Sequence, residues 1–142
     1  DIFAGSGAMG FEALSRGAKE VFFIEKDRSA CSYIQKNAQT LGIEDSVHIL
    51  CGDASDLIKR LQEEQRVFSI IYLDPPYHTG TNTNFSENTL KQLDDSSLLA
   101  DDGILFIEES NQHPIQDNDL KNLSLYKKRT QGISALYQYK KI

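Results

Sequence analysis

The stretch DIFAGSGAMGFEALSRGAKEVFFIEKD, residues 1–27, decides the fold. A short apolar segment runs into glycines at positions 5, 7 and 10, and a helix-like segment follows as far as Gly17. A second apolar run, VFFIE, comes next. A G-x-G-x-x-G turn between a strand and a helix is typical of α/β folds that bind a ligand at the turn. The stretch therefore predicts a strand, a glycine turn, a helix and a second strand.

The rest of the chain continues the alternation of strands and helices. We expect helices over 28–42, from 54 to about 65 and near 87–99, with strands over 46–51, 67–74 and 103–110. A hairpin is expected to close the chain, with strands 123–129 and 133–139 around the turn TQG. The apolar run 67–74 is typical of a strand covered on both faces. This order predicts an α/β fold with a doubly wound, mainly parallel sheet, and such sheets bind ligands at the carboxyl ends of their strands.

Length and composition narrow the class of protein. The chain has 142 residues, which predicts a single domain over residues 1–142. Only half a strand precedes the glycines, so we expect a further N-terminal segment before Asp1. No apolar run reaches 18 residues, and no membrane span is expected. Cys31 and Cys51 lack metal or redox spacing and predict buried free thiols, as in a cytoplasmic protein. We expect no bound metal, and nothing in the sequence indicates an oligomeric state.

Charge is distributed unevenly along the chain. The net charge is −6, yet residues 120–142 contain six bases and no acid. These bases are Lys121, Lys127, Lys128, Arg129, Lys140 and Lys141. Lysines on an edge hairpin can serve only to prevent aggregation. Alternatively, Lys127, Lys128 and Arg129 form a patch that contacts phosphate groups.

Three acids follow the first predicted strands. Glu25 lies 20 residues after Gly5, at a strand end, where a carboxylate can accept both hydroxyls of a ribose. Asp27 is a candidate for the same role but is well placed to cap the next helix. Asp53 can contact an adenine amino group, cap a helix, or do both. The first part of the chain therefore predicts a ligand that contains adenosine.

The glycine turn alone does not distinguish a dinucleotide from S-adenosylmethionine. A dinucleotide presents a pyrophosphate to the helix N-terminus. S-adenosylmethionine instead presents a sulfonium and an ammonium group, which favour carboxylates. Asp1, directly before the turn, suits a cation and would repel a phosphate.

The sequence Asp74-Pro75-Pro76-Tyr77 follows the fourth predicted strand and indicates the reaction. An exocyclic amine of a base is a poor nucleophile because its lone pair is delocalised into the ring. The Asp74 carboxylate and the Pro75 carbonyl could accept both of its N–H groups, and the prolines restrict the backbone that carries this carbonyl. Tyr77 offers a ring on which a base can stack. The tetrapeptide therefore predicts transfer of a methyl group to an amine.

These motifs carry a resemblance to a known family. The stretch of residues 1–27 and the sequence LDPPY together resemble a family of bacterial class I methyltransferases. Members of that family use S-adenosylmethionine to methylate N2 of a guanine in 16S, or small-subunit, ribosomal RNA. The similarity extends to the closing hairpin. It implies a Rossmann-like sheet of seven strands with an antiparallel C-terminal hairpin, and ribosomal RNA or the small subunit as partner.

The resemblance also implies roles for individual residues. Around the cofactor it implies Asp1, Phe3, Gly5, Gly7, Glu25, Asp53 and Ala54. At the target base it implies Asp74, Pro75 and Tyr77. We further consider His78 a candidate substrate contact, and we expect the polar loop 79–84 to be mobile and to become ordered on RNA.

Two other functions remain open at the level of sequence. The same tetrapeptide occurs in amino methyltransferases that act on DNA or on protein glutamine. A Rossmann module that binds NAD without catalysis would share the glycine turn and Glu25.

Overall fold

The computed structural model describes residues 1–76 and 84–142. The described residues form an α/β fold, which confirms the predicted class. The helices are α1 (Ala8–Ser15), α2 (Arg28–Leu41), α3 (Ala54–Glu63) and α4 (Phe85–Asp94), with a short 3-10 helix at Glu44–Ser46. The strands are β1 (Val21–Glu25), β2 (Val47–Cys51), β3 (Phe68–Leu73), β4 (Leu99–Ser110), β5 (Leu123–Gln131) and β6 (Ser134–Lys141).

The chain divides into two compact units, and the first covers Asp1–Leu57. In this unit β1 and β2 pair in parallel, from Val21 opposite Val47 to Glu25 opposite Cys51. Ile2 adds a single parallel bridge to Ile24. Because β1 is buried along most of its length, it supplies the core against which α1 and α2 pack.

The second unit covers Ile58–Ile142 and contains a four-stranded sheet in the order β3-β4-β6-β5. β3 and β4 pair in parallel, and the other neighbours are antiparallel. β5 and β6 are the predicted C-terminal hairpin, with Gly132 at φ 59° in its turn. The described residues form six strands, so the seven-stranded sheet remains a prediction.

Two helix ends follow from local sequence. The Asp27 carboxylate accepts hydrogen bonds from the amides of Ser29 (2.7 Å) and Ala30 (3.2 Å) at the start of α2. Gly42 ends the same helix in the left-handed conformation, with φ 65°. Both residues were predicted in these roles, because an acid suits the N-terminus of a helix and glycine tolerates a positive φ.

The fourth helix is shorter than the predicted 87–99. It ends at Asp94, because the buried Asp94 carboxylate binds the backbone amides of Lys121, Asn122 and Leu123 at 2.7–2.9 Å. The chain then turns, and Leu99 begins β4. These tertiary contacts of Asp94 therefore end α4 earlier than the sequence predicts.

The prediction that residues 67–74 are covered on both faces is wrong for the first half of this run, whereas Ile71 and Leu73 in the second half are buried. Ile70 in β3 is 62% exposed, and Ser69 is also exposed. β3 is an edge strand of the four-stranded sheet and has one paired neighbour there, so its apolar run is not fully enclosed.

The state of the cysteines agrees with the sequence prediction in part. Both cysteines are free; Cys31 is buried as predicted, whereas Cys51 at the end of β2 is exposed. Of the helices in the described ranges, none is long and apolar enough to cross a membrane.

Candidate functional site

A tight turn before α1 is the candidate binding feature of the first unit. Phe3, Gly5 and Gly7 all have positive φ, at 61°, 55° and 80°. The Gly7 amide closes the turn on the carbonyl of Ala4 at 2.8 Å. A positive φ in a bulky residue such as Phe3 costs about 1–3 kcal/mol and is typical of functional sites. The turn is therefore held in a conformation that the chain would not adopt without support.

Gly5 and Gly7 have different surroundings. A Cβ at Gly5 would meet no atom within 4 Å, so the backbone there borders open space. A Cβ at Gly7 would come within 3.1 Å of the side chains of Phe11, Phe23 and Ile34. Open space beside the turn therefore lies at Gly5, whereas the missing side chain of Gly7 lets the turn pack against the interior of the first unit.

Glu25 supports the turn from the end of β1. One of its carboxylate oxygens accepts the Gly5 amide at 2.7 Å, and the other accepts the Asp27 amide at 2.8 Å. A carboxylate has about four acceptor positions. Two positions on Glu25 therefore remain for hydroxyl groups of a ligand beside the turn.

Asp53 follows Gly52, a residue whose backbone contacts Glu25. The Gly52 amide donates to the Glu25 carbonyl at 2.9 Å, which places the end of β2 beside the end of β1. Asp53 is exposed, and its carboxylate accepts the Ser55 amide at 2.9 Å in a capping contact. Ala54, half-buried, begins α3. The capping role of Asp53 is confirmed, and its ligand role stays a prediction.

Asp1 contacts the first turn of α1. Its carboxylate accepts the Gly10 amide at 3.0 Å. Because a helix N-terminus carries partial positive charge, this contact stabilises the carboxylate and uses part of its accepting capacity. The remaining positions on Asp1 are those that could meet a cationic ligand.

The second unit has a candidate group of its own at the end of β3. Leu73 pairs with Ile107 in parallel, so Asp74 leaves β3 beside Glu108. Asp74 is exposed and Pro75 is buried. Partial desolvation raises the pKa of Asp74 above its ordinary value, and the charges of Glu108 and Glu109 raise this pKa further.

Two glutamates, Glu108 and Glu109, lie near Asp74. The sequence analysis did not predict them as site residues. Glu108 accepts the Tyr72 hydroxyl at 2.6 Å. Glu109 is 6% exposed and accepts the Ser86 hydroxyl and the Ser110 amide. The signal was present in the sequence, because two consecutive acids at the end of a buried strand are unusual in a protein core.

Part of the predicted site lies outside the described residues. Tyr77, His78 and the loop residues 79–83 belong to that part, so their predicted roles and the predicted mobility of the loop stay predictions. Asn84, where the description resumes, caps α4 by accepting the Glu87 amide at 3.1 Å.

The three candidate phosphate contacts lie consecutively on β5 and are all exposed. Lys127 pairs with Gln138, Lys128 with Tyr137 and Arg129 with Leu136. Because side chains alternate along a strand, Lys128 points to the face opposite Lys127 and Arg129. The Lys128 ammonium lies 4.7 Å from the centre of the Tyr137 ring.

Side chains that could hold a metal ion do not group together in residues 1–76 and 84–142. Glu25 at the end of β1 is instead engaged by two backbone amides, and Glu108 beside the end of β3 accepts the Tyr72 hydroxyl.

Residues 1–140 match the family described as Conserved hypothetical protein 95. The chain is 34% identical over 141 residues to the Haemophilus influenzae protein named Ribosomal RNA small subunit methyltransferase D, covering 97% of this chain and 69% of that one. It is 32% identical to the Escherichia coli protein of the same name, covering 97% of this chain and 66% of the relative. These matches confirm the resemblance drawn from the motifs.

A solved structure agrees with the sequence matches. A Haemophilus influenzae protein crystallised as a candidate methylase superposes with a TM-score of 0.83 at 32% identity. The alignment covers 99% of this chain and 83% of that chain. The similarity therefore includes the glycine turn, the end of β3 and the closing hairpin.

Proposed function

Because the chain belongs to the family described as Conserved hypothetical protein 95, we propose that it uses S-adenosylmethionine to methylate N2 of a guanine in 16S ribosomal RNA. The observation that carries the proposal is Asp74, an exposed carboxylate with a raised pKa at the end of β3, followed directly by Pro75. The names of the curated relatives support the same class of substrate.

The turn in the first unit suits the cofactor. Gly5 leaves open space beside the backbone, and Glu25 keeps two acceptor positions for the ribose hydroxyls. Asp53 and Ala54 follow the end of β2, where they would meet the adenine. Asp1, Phe3 and Gly7 complete the turn around the methionine moiety. When bound, S-adenosylmethionine supplies an electrophilic methyl group on a sulfonium.

The end of β3 suits the amine. The Asp74 carboxylate and the Pro75 carbonyl accept the two N–H groups of guanine N2, which turns the nitrogen lone pair toward the methyl group. The methyl group would pass to this nitrogen as its bond to sulfur breaks, and the nitrogen would then lose a proton near Asp74. The raised pKa of Asp74 makes its carboxylate a better acceptor for this proton. Tyr77, in our proposal, stacks on the base.

The complete sheet is proposed to contain seven strands in one doubly wound domain. Ile2 already forms a parallel bridge to Ile24, and the Ala4 amide donates to the Ile24 carbonyl at 3.0 Å. The segment before the glycine turn thus has the pairing of a strand beside β1.

The proposal is tested by transfer of labelled methyl groups to small ribosomal subunits that lack the modification. We expect one labelled guanine, methylated at N2, when the product RNA is mapped. Thermal unfolding with S-adenosylhomocysteine or NAD provides the control for ligand class. Stabilisation by NAD alone, without methyl transfer, would contradict the proposal and favour an NAD-binding module.

A further inference from the structure

An exposed tyrosine on the closing hairpin has no role in the proposed reaction. Tyr126 lies on β5 in the second unit and is 60% exposed. The register of β5 against β6 shifts between Leu125 and Lys127, so Tyr126 is an additional residue in its strand, as in a β-bulge. Bulges redirect side chains and are frequent beside functional sites. Tyr126 therefore presents an aromatic ring to solvent at a defined position on the sheet.

A lysine of the neighbouring strand lies against this ring. The Lys140 ammonium is 4.1 Å from the centre of the Tyr126 ring, which is close enough for a cation–π contact. Side chains alternate along β6, so Lys140 and Gln138 point away from the face of the buried Tyr139. Lys127 pairs with Gln138. Tyr126, Lys127 and Lys140 therefore lie on one face of the sheet.

The basic residues of the hairpin differ in their acidic partners. Lys141 forms an ion pair with Asp101 at 2.9 Å. The ion pairs of residues 1–76 and 84–142 include none of the three basic residues on the Tyr126 face, which are Lys127, Arg129 and Lys140. Since the whole chain has a net charge of −6, this face is a local region of opposite charge. Such a region attracts a polyanion.

The same face leads across the sheet to Asp74. Arg129 pairs with Leu136 on β6, and Leu136 pairs with Glu108 on β4. Asp74 leaves β3 beside Glu108. Because neighbouring strands are about 4.8 Å apart, the backbones at Arg129 and Asp74 are separated by about 14 Å. A few nucleotides of a single strand can cross this distance.

We propose that this face binds single-stranded RNA beside the target guanine, with an unpaired nucleobase stacked on Tyr126 and phosphate groups on the three basic residues. The inference rests on the proposed function for the choice of RNA as the partner. Proteins that bind unpaired RNA combine a basic surface with aromatic rings on which nucleobases stack. Lysines that served only to protect a sheet edge would need no exposed ring beside them. Tyr126 thus adds a substrate contact to those at the end of β3.

Binding of a short single-stranded oligouridylate, measured by fluorescence anisotropy at low salt, tests the stacking contact. Tyr126→Thr keeps a residue suited to a strand and should weaken binding about fivefold to 150-fold, the range for loss of one stacked nucleobase. Tyr126→Phe keeps the ring and should bind within about twofold of wild type. No measurable binding by wild type, or equal affinities of wild type and Tyr126→Thr, would overturn the proposal.

Tyr33 provides the matched control for the loss of an exposed ring. It is 62% exposed on α2, and the Lys36 ammonium lies 5.8 Å from its ring centre. Tyr33→Thr should leave the affinity for oligouridylate unchanged. A loss as large as that of Tyr126→Thr would contradict the proposal. An equal effect of Tyr126→Thr on duplex RNA would also contradict it, because paired nucleobases are not available to the ring.

Two adjacent lysines test the phosphate contacts. Lys140→Gln should lower the slope of log affinity against log salt concentration by about 0.7, the value for one phosphate of a single strand. Lys141→Gln, whose lysine is already paired with Asp101, should leave this slope unchanged. Equal slopes for the two variants would contradict the assignment of phosphate groups to the Tyr126 face.

Methyl transfer measured on the same preparation separates the two proposals. If wild-type protein methylates small subunits but Tyr126→Thr binds oligouridylate as tightly as wild type, the stacking role is wrong and the proposed function stands. If the Tyr126 variants behave as described but no methyl transfer occurs, the proposed function fails and the surface for single-stranded RNA stands.

Discussion

Glu25 and Asp74 both lie at the carboxyl end of a strand, yet their surroundings differ. Glu25 receives two backbone amides and is held in one position beside the glycine turn. Asp74 receives no hydrogen bond from the described residues; partial desolvation raises its pKa, and the charges of Glu108 and Glu109 raise this pKa further. A carboxylate fixed by amides suits the binding of a ligand. A carboxylate whose acceptor positions are unoccupied suits a role in which its hydrogen bonds or its protonation change during a reaction.

The largest effect is expected for Asp74→Ala, which should reduce methyl transfer about 10²–10³-fold, the range for loss of one preorganised hydrogen-bonding group. Binding of S-adenosylhomocysteine, measured by calorimetry, should be unchanged because Glu25 remains in place. Asp102→Ala removes a similar charge from an exposed position and is the control. Loss of transfer and of cofactor binding together would mean that Asp74 has a structural role.

Glu25→Ala should act mainly on cofactor binding, in contrast to Asp74→Ala. Removal of this carboxylate frees the Gly5 and Asp27 amides and should weaken S-adenosylhomocysteine binding by about 1.5–3 kcal/mol, the range for hydrogen bonds to a charged group. Glu44→Ala removes an exposed acid from the same unit and should leave affinity unchanged. If both variants bind equally well in calorimetry, Glu25 does not hold the ribose.

Replacement of Lys127, Lys128 and Arg129 by alanine tests whether the closing hairpin contacts RNA. If each base neutralises one phosphate, the slope of log affinity against log salt concentration should fall by about two. Filter binding to small-subunit RNA over a range of salt concentrations measures this slope. An unchanged slope and affinity would leave prevention of aggregation as the role of these bases.

Gly10→Ala tests the packing behind the glycine turn. A Cβ there would lie 2.2 Å from a ring atom of Phe23, whereas a Cβ at Gly52 would lie 3.4 Å from Leu57. We expect Gly10→Ala to lower the free energy of unfolding by about 1–3 kcal/mol, as overpacking does. Gly52→Ala should change it little. Equal urea midpoints for the two variants would show that α1 can move away from β1 without loss.

The smallest effect concerns stability and pH. Because the pKa of Asp74 is raised on folding, the folded chain binds more protons than the unfolded chain between the ordinary and raised values. This contribution to stability is present at low pH and is lost as pH rises through that window. Asp74→Asn should therefore gain Tm relative to wild type above the window, but not below it. A constant difference in Tm across the acidic range would contradict this linkage.

The sequence predicted contacts that depend on neighbours in the chain. Asp27 caps α2 through amides two and three residues away, and Gly42 ends that helix because of its own backbone. The position of Glu25 beside the glycine turn follows from a spacing that recurs in this fold, and its contact with a ribose stays a prediction. Glu109 was missed because its partner Ser86 lies 23 residues away and no local pattern links the two. Exposure of Ile70 was missed for a similar reason, since an apolar run does not reveal an edge strand.

Asp94 has a consequence for the order in which the second unit is assembled. Its carboxylate holds three consecutive amides, those of Lys121, Asn122 and Leu123, which are 27–29 residues away in the chain. The closing entropy of such a loop opposes this contact until α4 and β4 have formed. We therefore expect the segment that leads into β5 to become fixed late in folding, and protection of its amides from hydrogen exchange to depend on the end of a helix as well as on strand pairing.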